Sequence, residues 1–307
     1  MTIVGREFVL RAADGTPLQC ACWPASQPRA ALLLAHGVAS HLRWYAPLAE
    51  ALADTGITVL IADRRGCGRS GGRRGDAPST AVLLDDMRLA AAALRERTSG
   101  VPQHVGGVSL GALLAAAALL EEPAAWSSLV LITPALQLAT PLTRWQQLQL
   151  TVAGAITPTL SFRMPYGSNA IARTADWQAA LDADPLRITR ITARFGRITQ
   201  RLQSNLLLRA SEVHAPILLQ LAGADRVVDN ATSHNFYSHC SSTIRRVETY
   251  DDAPHGLPLS VARGRLEAQL GNWMLVESQR PAANAACAAN DQRFARDDTA
   301  LLRRPAP

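Results

Sequence analysis

Short apolar runs alternate with longer stretches of helical periodicity along most of this chain. A short apolar run suits a strand buried on both faces, and alternation of such strands with helices is typical of a mostly parallel sheet covered on both sides. The predicted strands are residues 7–11, 18–23, 30–34, 58–62, 104–108, 128–132, 216–221 and 243–249. The predicted helices are residues 44–55, 79–97, 110–121, 231–240 and 259–277. We therefore expect an α/β fold built on a mostly parallel, eight-stranded sheet.

The alternation stops across residues 134–210, where no strand is predicted. Helical segments in this region are interrupted by Pro141, Pro158, Pro165 and Pro185. An insertion between two core strands that forms a helical cap accounts for this pattern. Residues 1–133 and 211–277 then form the core, and residues 134–210 form the cap. Residues 278–307 are rich in Ala, Arg and Asp and have little periodicity, so we expect a disordered tail.

The charged residues argue against a nucleic-acid partner. The chain has a formal net charge of +6, and all 31 of its basic residues are arginines. These arginines are spread along the chain and lack the interleaved aromatic residues of a nucleic-acid-binding surface. A mildly basic balance also suits an anionic membrane surface or an acidic substrate.

Cysteine usage and hydropathy indicate a cytoplasmic protein. The cysteines are odd in number and lack the spacing of metal ligands; they are Cys20, Cys22, Cys67, Cys240 and Cys287. Buried thiols in a reducing compartment are the simplest interpretation. The first residues lack the apolar segment of a signal peptide, and no run approaches the roughly 18 apolar residues of a membrane span. We expect neither a membrane span nor a bound metal.

The strongest local motif is Gly107-Val108-Ser109-Leu110-Gly111, between a predicted strand and a predicted helix. In this strand–turn–helix setting, Gly-x-Ser-x-Gly presents a nucleophilic serine at the edge of a sheet. The turn needs small residues at Gly107 and Gly111, because larger side chains would clash there. Ser109 then lies at the helix N-terminus, where developing negative charge is stabilised. The motif also occurs in ordinary turns, so the interpretation depends on residues elsewhere.

Two downstream residues complete the pattern. A serine hydroxyl becomes nucleophilic only when a base takes its proton, and the base needs an orienting partner. In this type of site the acid precedes the histidine in the chain. Asp225 directly follows a strongly apolar predicted strand, and His255 follows the last predicted strand. We predict that Ser109 is the nucleophile, His255 the base and Asp225 its partner.

Other acids and histidines compete for these roles. Asp229 lies four residues after Asp225 at a predicted helix start, and we interpret it as an N-cap. Asp251 and Asp252 precede His255 and are interpreted as polarising its loop. The positions of the remaining internal histidines suit packing or an exposed surface better; they are His104, His214, His234 and His239.

The segment His36-Gly37-Val38 follows the third predicted strand. Gly37 allows the backbone to turn so that the next N–H group points into the site. The N–H groups of Val38 and Leu110 would then form an oxyanion hole. We expect His36 to brace this loop rather than to take part in the chemistry.

These motifs stand in a fixed order along the chain. They are His36-Gly37…His41…Arg43-Trp44-Tyr45, Asp63…Arg65-Gly66…Gly68…Ser70-Gly71…Arg74-Gly75, the Ser109 motif, Asp184-Pro185-Leu186, residues 222–229 and the His255 loop. Together they resemble the monoacylglycerol lipase and lysophospholipase-like serine hydrolases of the α/β-hydrolase superfamily, over nearly the whole chain except the tail. The resemblance implies an α/β-hydrolase fold with a helical cap and a carboxylic ester hydrolase that needs no cofactor. It also implies that an acyl ester, such as a monoacylglycerol or lysophospholipid, is cleaved through an acyl-enzyme.

Two departures from the family leave the substrate open. Ser40 stands where the family usually has an acidic residue, and Gly256 stands where it commonly has Glu. An acyltransferase or thioesterase would use the same triad, and a non-catalytic binding protein of this fold is a further alternative. Dehalogenases and epoxide hydrolases of this fold normally need an aspartate at the position of Ser109, which argues against both.

Two stripes of residues at helical spacing run through the second half of the cap. One stripe is apolar and consists of Ile188, Ile191, Phe195, Ile198, Leu202 and Leu206. The other is basic and consists of Arg187, Arg190, Arg194, Arg197 and Arg201. A packed cap helix with a solvated basic flank explains both stripes. The alternative is that the basic flank attracts an anionic substrate or an anionic lipid surface.

Overall fold

The computed structural model describes residues 5–280, which contain an eight-stranded sheet. In chain order the strands are β1 (Arg6–Arg11), β2 (Pro17–Trp23), β3 (Ala30–Ala35), β4 (Ile57–Ala62), β5 (Gln103–Val108), β6 (Ser128–Ile132), β7 (Ser161–Arg163), β8 (Arg190–Thr192), β9 (Ile217–Ala222) and β10 (Arg245–Tyr250). The sheet order is β1-β2-β4-β3-β5-β6-β9-β10, with β2 antiparallel to both neighbours and the other pairs parallel. The predicted fold class is confirmed, and each predicted core strand agrees with an observed one to within two residues.

Helices cover both faces of this sheet. They are α1 (Ala46–Asp54), α2 (Thr80–Arg97), α3 (Leu110–Glu121), α4 (Arg144–Ile156), α5 (Ser168–Ile171), α6 (Ala175–Ala183), α7 (Ala193–Leu208), α8 (Asn230–His239) and α9 (Arg263–Glu277). Buried residues of α2, α3, α7 and α8 form one apolar core with the sheet, and those of α1 and α9 form a second core. The two cores explain why the central strands are apolar on both sides.

The carboxyl ends of the parallel strands bring distant parts of the sequence together. β3 and β9 are buried along their whole lengths, whereas the edge strands β1 and β10 largely alternate between exposed and partly buried residues. Because neighbouring parallel strands end at the same edge of a sheet, the residues that follow β3, β5, β6, β9 and β10 lie side by side. This edge carries every residue predicted to take part in catalysis.

The insertion is not purely helical, contrary to our expectation. β7 and β8 form a short antiparallel pair, with Phe162 opposite Ile191. Strands of three residues are too short to show a two-residue periodicity, which explains why the sequence did not reveal them. β8 also attaches the insertion to the core, because the N–H of Thr192 donates to the carbonyl of Gly75 at 3.0 Å.

The prediction that the basic stripe lies on a single helix is wrong. Arg187 and Arg190 precede α7, which begins at Ala193. Within α7, Arg194 forms an ion pair with the buried carboxylate of Asp76 rather than facing solvent freely. The apolar stripe is confirmed where α7 exists: its buried members are Phe195, Ile198, Leu202 and Leu206.

Three further expectations concern membrane spans, thiols and the tail. Within residues 5–280, no helix is long and apolar enough to cross a membrane. Four of the cysteines are free and buried: Cys20, Cys22, Cys67 and Cys240. Cys287 and residues 281–307 of the predicted tail lie outside the described residues.

A buried histidine on β5 should make stability depend on pH. The ring of His104 is enclosed between the hydroxyls of Ser128 and Ser278, at 2.7 and 2.9 Å. Burial lowers the pKa of His104 to about 3 from the ordinary 6.5. Below pH 6.5 the unfolded chain binds a proton at this residue that the folded chain does not bind. The free energy of unfolding should therefore fall by about 1.4 kcal/mol for each unit by which the pH is lowered.

Urea unfolding of the wild type and of His104→Gln at pH 7, 6 and 5 measures this effect. The variant should lose stability less steeply than the wild type as the pH falls, although its stability at pH 7 is lower. Parallel pH profiles for the two proteins would contradict the assignment.

Candidate active site

Ser109 occupies a strained turn between β5 and α3. Its backbone has φ 57° and ψ −118°, although it is not a glycine, and the residue is buried. Its N–H donates to the carbonyl of Ile132 at 2.9 Å, and its carbonyl accepts from the N–H of Ala135 at 3.2 Å. Contacts from the end of β6 and the residues after it therefore hold the turn on both sides.

Gly107 and Gly111 allow the turn to form because neither has a side chain. A Cβ atom on Gly111 would lie 2.0 Å from the carbonyl oxygen of Ala35, and one on Gly107 would lie 2.1 Å from the carbonyl carbon of Gly111. Real Cβ atoms do not approach other atoms so closely. The packing of α3 against the end of β3 thus requires Gly111, and its packing against β5 requires Gly107.

Asp225 and His255 meet directly at the sheet edge. His255 Nδ1 lies 2.8 Å from Asp225 Oδ2, and both side chains are at least 93% buried. The other oxygen of Asp225 accepts the N–H groups of Val227 and Val228, at 2.8 and 3.0 Å. Because a carboxylate only accepts hydrogen bonds, Nδ1 of His255 carries the proton that it donates, which leaves Nε2 as an acceptor.

The competing residues lie in other environments. Asp229 is the N-cap of α8 and accepts the N–H groups of Ala231 and Thr232, at 3.2 and 2.9 Å. Hydrogen bonding from the Thr232 hydroxyl lowers the pKa of Asp229. Asp251 and Asp252 are exposed. His104 is buried within the core, and the other competing histidines are exposed: His214, His234 and His239.

The loop after β3 is fixed by hydrogen bonds to the carbonyl of Gly37. His36 Nδ1 donates to this carbonyl at 2.8 Å, and the Ser40 hydroxyl donates to it at 3.2 Å. His36 Nε2 accepts the backbone N–H of Arg64 at 2.8 Å. Burial lowers the pKa of His36 well below its usual value, so the ring is neutral and supplies one donor and one acceptor.

The C=O of Gly37 and the N–H of Val38 belong to the same planar trans peptide, so they point in opposite directions. The carbonyl points toward its donors, and no acceptor among the described residues takes the N–H of Val38. Leu110 is the first residue of α3, and an N–H at that position has no partner within its helix. Both N–H groups are therefore available to a ligand.

Ser109, His255, Gly37 and Val38 line one cavity at the carboxyl edge of the sheet. The cap contributes Tyr166 and Ile171 to its wall. Together with its open mouth the cavity contains about 390 Å³ of empty space, within the range of small-molecule sites. Its walls are mainly apolar, and among the described residues no aspartate or glutamate lines it.

Sequence reasoning missed two residues of this site. Thr133 directly follows β6 with φ 43° and is fully buried. Its hydroxyl donates to the carbonyl of His255 at 3.2 Å, and its N–H donates to that of Gln220 at 2.8 Å. A β-branched residue in this conformation has no sequence signature. Tyr166 follows Met164-Pro165 in the cap, and burial raises the pKa of its hydroxyl.

Asp184 connects the cap to the loop that carries His41 and Trp44. One carboxylate oxygen accepts Trp44 Nε1 at 2.6 Å and His41 Nε2 at 2.8 Å. Partial burial alone would raise the pKa of Asp184, but these hydrogen bonds hold it below the usual value. Motifs far apart in the sequence thus meet where the cap joins the core.

Comparison with known proteins agrees with this architecture. Residues 26–259 match the family described as serine aminopeptidase, S33. The chain belongs to this family. It is 28% identical to human monoglyceride lipase, over 80% of this chain and 82% of that protein. It is 26% identical to the monoacylglycerol lipase of Mycolicibacterium smegmatis, over 76% of this chain and 83% of that protein.

Solved structures show the same fold. A soluble variant of monoglyceride lipase from Saccharomyces cerevisiae, in complex with a substrate analogue, superposes with a TM-score of 0.82 at 18% identity, covering 92% of this chain and 97% of that one. The monoacylglycerol lipase of Paleococcus ferrophilus superposes with a TM-score of 0.78 at 23% identity, covering 85% and 99%. The chain is therefore a hydrolase with the α/β-hydrolase fold of the monoacylglycerol lipase type.

A methyl group at Gly111 should destabilise the protein. Gly111→Ala would force α3 away from the carbonyl of Ala35 and should lower the free energy of unfolding by about 3 kcal/mol. Gly264→Ala is the matched control, because no atom of the described residues lies within 4 Å of the added atom in α9. The control substitution should raise the free energy of unfolding by about 0.5 kcal/mol, since alanine favours helices more than glycine does. Chemical unfolding of both variants measures the difference, and equal stabilities would contradict the packing argument.

Proposed function

We propose that the protein hydrolyses carboxylic acyl esters through an acyl-enzyme formed on Ser109. The observation that carries this proposal is the 2.8 Å contact of Asp225 with His255, which lines the same cavity as Ser109. Membership of a hydrolase family and the similarity to monoglyceride lipases, which are carboxylic ester hydrolases, support it.

In the acylation step, Ser109 Oγ forms a bond to the acyl carbon while His255 Nε2 takes the hydroxyl proton. The electron pair of the acyl C=O moves onto its oxygen, which accepts hydrogen bonds from the N–H groups of Val38 and Leu110. When the C=O reforms, the bond to the alcohol oxygen breaks and His255 gives its proton to that oxygen. The alcohol leaves, and the acyl group stays on Ser109.

In the deacylation step, His255 takes a proton from water while the water oxygen attacks the acyl carbon. Collapse of the second oxyanion breaks the bond to Ser109, whose oxygen takes the proton back from His255. Asp225 remains ionised throughout and stabilises the imidazolium that forms twice in the cycle. The N–H groups of Val227 and Val228 hold Oδ1 of Asp225, while its Oδ2 contacts His255.

The cavity wall favours an ester with an apolar acyl chain over a peptide substrate. An aminopeptidase must bind the protonated amino terminus of its substrate, which requires a carboxylate or a similar acceptor group. The described wall has no aspartate or glutamate and is largely apolar, with Ile171, Pro258 and Leu259 among its residues. Monoacylglycerols, lysophospholipids and related small esters fit this lining.

The role of Ser109 can be tested with a fluorophosphonate probe and a p-nitrophenyl ester. The wild type should be labelled, and Ser109→Ala should abolish labelling and reduce kcat by about a millionfold. Asp225→Asn should reduce kcat by roughly ten-thousandfold, because the asparagine side chain does not hold His255 in its reactive tautomer. Asp229→Asn is the matched control and should lose only the stability that a helix cap provides.

Labelling that persists in Ser109→Ala, or equal losses in Asp225→Asn and Asp229→Asn, would contradict the proposed triad. The same assay separates substrates: esters of medium or long acyl chains should be cleaved, and aminoacyl p-nitroanilides should not. Added alcohol or thiol acceptors separate hydrolysis from acyl transfer, since a transferase would form the new ester instead of the free acid.

We also propose that the cap contacts an anionic lipid surface through α4. None of the residues of α4 is buried. Trp145, Leu148, Val152 and Ile156 recur at intervals of three and four residues, so they share one face of the helix, and each is 46–75% exposed. An exposed apolar stripe of this kind suits a helix that lies in a membrane interface.

The distribution of charge supports an anionic partner. Residues 134–210 contain nine arginines and three aspartates, a net charge of +6 that equals the net charge of the whole chain. The rest of the chain has equal numbers of basic and acidic residues, 22 of each. The net positive charge of the chain thus lies in the segment that carries the apolar stripe of α4, where Arg194 and Arg209 are paired with carboxylates of the core.

Sedimentation with vesicles tests the lipid contact. The protein should sediment with vesicles that contain phosphatidylserine at low salt and dissociate at high salt. Replacing Trp145 and Ile156 together with Ser should reduce the bound fraction several-fold. The matched control replaces Val9 and Val276, which are 54% and 44% exposed on the core, with Ser and should not change binding. Equal binding to neutral vesicles, or equal effects of both pairs, would contradict the proposal.

A further inference from the structure

Arg64 is a buried arginine that lies behind the loop of the proposed oxyanion hole. It follows β4 by two residues and is 7% exposed. Its Nη1 donates to the carbonyl of Gly37 and its Nη2 to the carbonyl of Val38, each at 3.4 Å. Its backbone N–H donates to His36 at 2.8 Å. One residue of the neighbouring strand end therefore holds this loop at three points.

The guanidinium of Arg64 has no carboxylate partner within the part of the chain that the structure describes. The adjacent carboxylate of Asp63 accepts the N–H groups of Leu42 and Arg69 instead, at 2.7 and 2.8 Å. The neighbouring Arg65, by contrast, is paired with Asp86 and Asp14. Asp63 interacts with the Arg64 cation only through space. A buried charge without a hydrogen-bonded carboxylate is costly, and such costs are usually retained at functional sites.

The remaining contacts of Arg64 are with weak or neutral partners. Nη2 lies 2.9 Å from the sulfur of Cys67, and the guanidinium carbon lies 5.2 Å from the centre of the Phe195 ring in α7. Its Nε is buried, and no acceptor for it lies within residues 5–280. The ring of Phe195 and the carbonyl dipoles stabilise the cation only in part. Its positive potential therefore extends into the surroundings, including the cavity beyond the loop.

We infer that Arg64 is a positioning residue that prepares the oxyanion hole, an inference that rests on the proposed esterase function. By attracting the carbonyl oxygen of Gly37, it turns the peptide so that the N–H of Val38 points into the cavity. Its charge also attracts the negative oxygen that forms in the transition state, and this attraction is weaker in the neutral ground state. The buried cation thus lowers the barrier without touching the substrate.

Replacing Arg64 with Met removes the charge and keeps an apolar stem of similar shape. In the folded Arg64→Met variant, kcat should fall ten- to a hundredfold with KM unchanged, because only transition-state stabilisation is lost. Fluorophosphonate labelling should slow by a similar factor. A trifluoromethyl ketone, which forms an oxyanion on the enzyme, should lose affinity in parallel, whereas the affinity for a product carboxylic acid should not fall. Arg64→Lys should recover most of the rate because it keeps the charge.

Arg74→Met is the matched control, because Arg74 also donates to two backbone carbonyls, those of Gly68 and Leu186, and is exposed. This control should keep the wild-type kcat, and circular dichroism should show that both variants fold. The inference is overturned if Arg64→Met retains kcat within twofold of the wild type, or if its loss appears only in KM. A wild-type enzyme that no fluorophosphonate labels would instead refute the proposed function, so the two failures are distinguishable.

Discussion

The backbone of Ser109 holds a conformation that residues with a side chain rarely adopt, and the surrounding strands keep it there. The N–H and the carbonyl of Ser109 are bound by Ile132 and Ala135, on either side of Thr133. Thr133 itself has a positive φ, and its hydroxyl reaches the backbone of His255. The backbone on both sides of Thr133 thus holds Ser109, and the hydroxyl of Thr133 links this segment to His255. The close packing of Gly111 against Ala35 maintains this arrangement.

Much of this architecture could be predicted from the sequence, because its signals are local. The central strands are continuous apolar runs, so β3 and β9 were predicted to within one residue. The topology of a parallel sheet then brings the ends of these strands to one edge. For this reason the pair of Asp225 and His255 could be predicted from chain order alone, although the two residues are 30 positions apart.

The features that escaped prediction depend on contacts between distant segments. β7 and β8 have only three residues each, and their pairing is favoured because the cap supplies a partner. Arginines at regular spacing predicted one continuous helical stripe, but the peptide at Thr192 bonds to Gly75 and α7 begins only after it. The role of Thr133 follows from its conformation, which its residue type does not reveal. In each case, hydrogen bonds between distant segments determine the local structure more strongly than the propensities of the residues themselves.

The two halves of the cap are attached to the core very differently. The second half is joined through Asp184 to Trp44 and through Thr192 and Arg194 to the buried carboxylate of Asp76. The first half has no buried residue in α4, which rests on α7 near Gly196. Local opening follows the weakest packing in a structure. Local opening is therefore expected first at α4, whereas Ile171, which lines the cavity beside Ser109, stays with the core because its carbonyl accepts the N–H of Gly256 at 2.9 Å.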